Sequence, residues 1–217
     1  MRANLLNGDV MLLLTKVSAL FLFVTLFSNN LLAQNYIPTA EQQIKAAVSP
    51  APESMQEGAK VLGYNEAGEL VTLREGSNKL ICLADNPTDD RFHVACYYQG
   101  LEPFMNRGRE LRAEGKSGEE VIKIRQREIE EGSLPMPEKP MALYSLTGDP
   151  GGWDYETNRL LSARPLYVVY IPYATTESTG ISENPVSQGA PWLMNPGTPW
   201  AHIMVGTGRQ LGEEARD

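Results

Sequence analysis

The segment ICLADNPTDDRFHVAC, residues 81–96, constrains this chain more than any other. It holds both cysteines and one of the two histidines. KLICLA (79–84) and FHVACYY (92–98) are rich in β-branched and aromatic residues, as strands are. DNPTDD between them has the Asn-Pro and Asp content of a turn. A hairpin that places Cys82 opposite Cys96 also sets Leu80 opposite Tyr98 and Ala84 opposite Val94. Directly opposed Cα atoms about 4.5 Å apart lie at the short end of disulfide geometry. The spacing therefore predicts a Cys82–Cys96 disulfide pinning two strands. A zinc site fits less well, because His93 and Cys96 are three apart and alternate to opposite faces of a strand.

A disulfide presupposes an oxidising compartment, and the N-terminus supplies a route to one. Lys16 precedes the apolar run VSALFLFVTLF (17–27), and Ala33 follows after a short polar break. That is the layout of a signal peptide over residues 1–33. The run is shorter than the roughly 20 apolar residues that span a bilayer. Leu31, three positions before the cut, is an unusual cleavage residue, so an uncleaved anchor is the alternative and the only route to membrane association. A periplasmic or secreted location is expected, with residues 34–217 as a single domain. The net charge of −8 disfavours nucleic acid as a partner.

Thr39 with Gln42, and Ser117 with Glu120, read as capping boxes that open helices. Gly115 and Gly132 read as helix stops. Residues 101–132 thus form a helical pair, with Leu101, Phe104, Met105 and Leu111 on one apolar side and Val121, Ile122 and Ile129 on the other helix's. Their arginines, Arg125 among them, interleave with glutamates and read as a solvated, salt-bridged surface. VLGY, ELVTLR, KLICLA and FHVACYY read as a four-strand antiparallel meander, separated by NEAG and EGSN. MALYSLTG, RPLYVVYIPY and WAHIMVGT are later strands. RPLYVVYIPY is apolar on both faces, which predicts a central strand covered on both sides. The fold class is α+β: an antiparallel sheet of six or seven strands packed on the helical pair. Residues 174–199 form a long loop with two charges and little periodicity, and loops of that length are usually functional or disordered.

The functional reading starts from that loop. Trp192, Trp200 and Tyr173 lie in or beside it, next to His202, and Trp153 sits in a second loop. Aromatic side chains on a loop rim suit a small-molecule or protein ligand, while the alternative is that they plug the core beneath the loop. The leading reading is a non-catalytic extracytoplasmic binding or interaction domain without a cofactor. A hydrolase using His202 or His93 as general base is the second, although no nucleophile elbow or phosphate-binding loop is present. The third is copper handling by His202 and Met204, which share a strand face, joined by His93 if its strand lies opposite. Taken together, EGAKVLGYNEAGELVTLREGSNKLICLADNP, the second cysteine in VAC, ALYSLTGD and the closing AHIMV resemble a group of uncharacterised, signal-bearing bacterial secreted proteins. The resemblance implies export and one compact domain over most of the chain, and it carries over no catalytic residue.

Overall fold

The computed structural model describes residues 36–207. The chain divides into two units, Met1–Tyr36 and Ile37–Asp217, and the fold described is that of the second. The expected signal peptide (1–33) and the acidic C-terminal tail lie outside the described residues.

Local sequence chemistry explains most of the elements. Helix α1 (Ala40–Val48) opens on the expected capping box: Thr39 Oγ1 accepts from the Gln42 N–H, and Gln42 Oε1 accepts from the Thr39 N–H. A single turn, α2 (Glu53–Gln56), follows. Helix α3 (Glu102–Ala113) stops at Gly115, whose φ of 81° suits glycine, and α4 (Gly118–Glu130) opens on the Ser117–Glu120 box. Arg107 ties the two helices together through a two-pronged pair with Glu128. Val121, Arg125 and Ile129 repeat every four residues and face inward. Ile122 falls off that stripe and is 48% exposed. The surface reading therefore holds for Arg107, Arg109 and Lys123, which pair with glutamates, and fails for Arg125, which is buried.

The strands are β1 (Lys60–Tyr64), β2 (Leu70–Arg74), β3 (Leu80–Leu83), β4 (Phe92–Tyr98), β5 (Met141–Gly148), β6 (Trp153–Asp154), β7 (Arg159–Leu160), β8 (Arg164–Tyr170), β9 (Trp192–Met194) and β10 (His202–Gly206). Eight of them form one sheet, in the order β2-β1-β3-β4-β5-β8-β10-β9, while β6 and β7 form a separate small hairpin. The class is α+β as expected, with a slightly larger sheet. The Cys82–Cys96 disulfide is present, and Leu80 opposes Tyr98 in the same register.

The first four strands are not a simple meander. NEAG does close a β1–β2 hairpin, but β3 then pairs with β1 in parallel. The EGSN stretch is a crossover. Ser77 and Asn78 N–H groups donate to the Gly58 carbonyl, and the Arg74 guanidinium binds the carbonyls of Gln56 and Ala59. Gly76 passes so close that a Cβ there would lie 2.7 Å from the Lys60 nitrogen. The chain thus crosses the start of β1 and enters the sheet on its far side.

The two sheet faces are covered unequally. On one face, Tyr97 and Val168 pack with Leu101 and Phe104 of the helical segment. On the other, α1 covers β1, β3 and β4, burying Val61, Cys82 and Cys96. Nine residues of helix span only about 13 Å, less than three strand spacings. Toward β8 that face is consequently open: Tyr167 is 38% exposed, and Val169 is only half-buried. The expectation that β8 is covered on both sides is corrected accordingly. Residues 174–199 are also more ordered than expected, since they contain the short helix α5 (Thr176–Thr179) and the edge strand β9.

Candidate functional site

The residues expected at a ligand site divide between core and surface. The Trp200 ring meets Phe104 edge-on, with centroids 4.7 Å apart, and the Arg125 guanidinium lies 4.1 Å from its centroid. His202 is buried beside Tyr170, with ring centroids 5.2 Å apart, and its Nδ1 donates to the Trp200 carbonyl at 2.7 Å. Burial lowers the His202 pKa, opposed in part by that hydrogen bond, so the ring is neutral near pH 7 with Nε2 as its lone-pair atom. Trp192 is half-buried on β9, opposite Met204 and over Gly206. Tyr173 is 58% exposed in a left-handed backbone conformation, φ 64°. Trp200 and His202 are therefore core partners under the helical pair.

The copper set is only partly assembled. His202 and Met204 do share a face of β10, and Met204 packs into the apolar cluster around Val168. His93 does not lie opposite them, because β5 and β8 stand between its strand and β10. His93 pairs across to Thr147, whereas His202 pairs to Tyr170 and through it to Met141. Those rows are about 20 Å apart along β5. Among the described residues no group of three or more His, Cys, Asp and Glu side chains is placed to hold a metal ion.

Sheet register instead assembles a polar cluster at the other end. His93 (β4), Thr147 (β5) and Arg164 (β8) form one row across three strands. Thr147 and Arg164 line a cavity of about 240 Å³ together with Arg91, Asp149 and Ser162. The neighbouring turn is tight: a Cβ on Gly148 would sit 2.2 Å from the Ser162 carbonyl oxygen. Arg91 lies 4.0 Å from the exposed Asp90, and Arg164 has no ion-pair partner among the described residues. His93 Nδ1 is 2.8 Å from Thr147 Oγ1. Desolvation by the surrounding protein, and then the Arg91 charge, lower the His93 pKa, which leaves it a neutral base near pH 7.

Behind this row, Asp85 Oδ1 accepts from the His93 backbone N–H at 2.7 Å. Desolvation pushes the Asp85 carboxyl up to about 6, with the nearby Asp89 adding to the rise. The sign follows from linkage. The folded state holds the Asp85 proton more tightly than the unfolded chain, so stability falls as pH rises from about 4 through 6 and the penalty persists above. Asp85→Asn keeps an acceptor for the His93 N–H without the charge. It is expected to stabilise the protein by about 1–2 kcal/mol at pH 8 and by nothing at pH 4. Urea melts of both proteins across pH 4–8 test this, and a pH-independent difference would refute it.

His93 is the one residue of this cluster that sequence reasoning had singled out. Arg91, Thr147, Ser162 and Arg164 were missed, since no spacing along the chain links them and only strand order brings them together. Comparison with known families, with characterised proteins and with solved structures found no match to this chain.

Proposed function

We propose that this chain is an extracytoplasmic, non-catalytic binding domain, and that its ligand is a small molecule bearing a carboxylate or phosphate held between Arg91 and Arg164. The observation that carries the reading is the convergence of two arginines from separate strand ends on one cavity, with the hydroxyl-bearing Thr147 and Ser162 in its wall. Arginine forks suit planar or tetrahedral anions. In a chain of net charge −8 the overall field repels anions, so the two arginines, which outnumber the one carboxylate of the wall, Asp149, decide where one settles. The extracytoplasmic placement is supported by the disulfide, a bond that persists in oxidising compartments.

Calorimetric titration with inorganic phosphate and with malonate is the direct test. Saturable binding that weakens about tenfold in Arg164→Gln, and further with added salt, is the expected result. The reading fails if neither anion binds, or if Arg164→Gln binds as well as the wild type. A hydrolytic reading has one observation behind it: a neutral histidine 2.8 Å from a hydroxyl at the rim of a cationic cavity. It requires turnover of p-nitrophenyl phosphate or p-nitrophenyl acetate that disappears in His93→Gln. Turnover that survives this change would eliminate it.

A further inference from the structure

His93 stands directly opposite Thr147, and Thr147 directly opposite Arg164, across the adjacent strands β4, β5 and β8. Directly opposed residues project from the same face of a sheet. Thr147 therefore lies between the imidazole and the guanidinium, and Thr147 and Arg164 both belong to the wall of the arginine cavity. The one polar atom of the Thr147 side chain, Oγ1, is 2.8 Å from His93 Nδ1.

A threonine hydroxyl carries one hydrogen, and so does the ring of a neutral imidazole. The His93–Thr147 contact closes in one of two senses accordingly. With the ring proton on Nε2, Nδ1 is a lone pair and Thr147 gives its hydrogen to it. Oγ1 then offers only lone pairs to its surroundings, and these repel an anion. With the ring proton on Nδ1, the imidazole donates to Oγ1 and the Thr147 hydrogen is free for an anion. The far side of the ring does not fix the choice: His93 is exposed, and Nε2 has no hydrogen-bond partner among the described residues. His202 differs, because its Nδ1 must donate to the Trp200 carbonyl. A neutral imidazole in water favours the proton on Nε2 by a small margin, and a hydrogen bond to a charged group is stronger than that margin.

We infer that His93 is a positioning residue of the anion site: on anion binding its ring proton shifts from Nε2 to Nδ1, and the Thr147 hydroxyl turns its hydrogen from His93 to the ligand. The shift runs by exchange with solvent at the exposed ring and takes up no net proton. This role rests on the anion-binding reading above.

The chain has two histidines, so ¹⁵N-histidine labelling observes two rings, and His202 is the internal reference. At pH 8 both rings are neutral, since burial lowers both pKa values. Malonate is then expected to move His93 Nδ1 to the protonated position and Nε2 to the non-protonated one, with His202 unmoved. Thr147→Val keeps the branched shape and removes the hydroxyl. It should bind malonate about tenfold more weakly and abolish the His93 response, and Thr147→Ser should restore both. Saturable malonate binding by calorimetry with the His93 nitrogens in place would overturn the positioning role and leave the anion site standing. A His93 response that persists in Thr147→Val would overturn it as well, as a direct effect of the bound charge. Protonation of both ring nitrogens would do the same, because the anion would then draw in an imidazolium instead of selecting a tautomer. A wild type that binds no malonate removes the anion site and the positioning role together.

Discussion

The double variant Cys82→Ala/Cys96→Ala is expected to be about 3 kcal/mol less stable than the oxidised protein. The bond closes a loop with a sequence separation of 14, and it limits the freedom of the unfolded chain over that span. Both cysteines are fully buried beneath α1, beside Val61 and Ala47, so the variant also loses packed volume at the heart of that layer. The strands the bond joins are short on one side, since β3 has four residues and must hold both β1 and β4. With a urea slope of about 2 kcal/mol per molar, the midpoint should fall by roughly 1.5 M. Reduction of the wild type should reproduce most of that fall. A loss under about 1 kcal/mol would mean that the ladder of hydrogen bonds holds the hairpin unaided.

The second large effect is expected at Arg125, and its sign depends on the replacement. The guanidinium lies 4.0 Å from the Phe104 ring centroid and 4.1 Å from that of Trp200. Its Nη1 donates to the Phe104 carbonyl, and among the described residues its Nε has no acceptor and no carboxylate forms an ion pair with it. Desolvation, with Arg112 nearby, brings its pKa down to about 10, so the charge survives at neutral pH at a cost in hydration. Two aromatic faces offset part of that cost. Arg125→Ala opens a hole between Phe104 and Trp200 and should destabilise by about 3 kcal/mol. Arg125→Met refills the space with a flexible apolar chain and removes the buried charge, and it should recover to within about 1 kcal/mol of the wild type. Equal losses in the two variants would show that the cation itself, rather than its volume, holds the helices to the sheet. Thermal and urea unfolding of the three proteins separate these outcomes.

The candidate sites were legible only in part. His93 stood out as one of two histidines, but its partner Thr147 is an ordinary threonine in a strand, and nothing near either residue points to Arg164. Trp200 and His202 stood out equally and turned out to be packing partners of Tyr170 and Phe104. An aromatic beside a loop reads the same from the chain whether it meets solvent or a helix. Which of these it meets depends on where the helical pair lands.

The sequence by itself determined the features whose partners lie within one helix end or one hairpin. The Thr39 and Ser117 capping boxes, the glycine stops at Gly115 and Gly132 and the Cys82–Cys96 register are such features. Each is decided by side-chain reach across one turn of helix or by the pairing of two strands joined by a single loop. Only the tertiary structure decided that β3 enters beside β1 in parallel, that Arg125 takes an inward position and that Arg91 and Arg164 share a cavity. Those outcomes weigh burial and hydrogen bonding between segments far apart along the chain. The competing arrangements differ in long-range contacts, which local residue patterns do not encode.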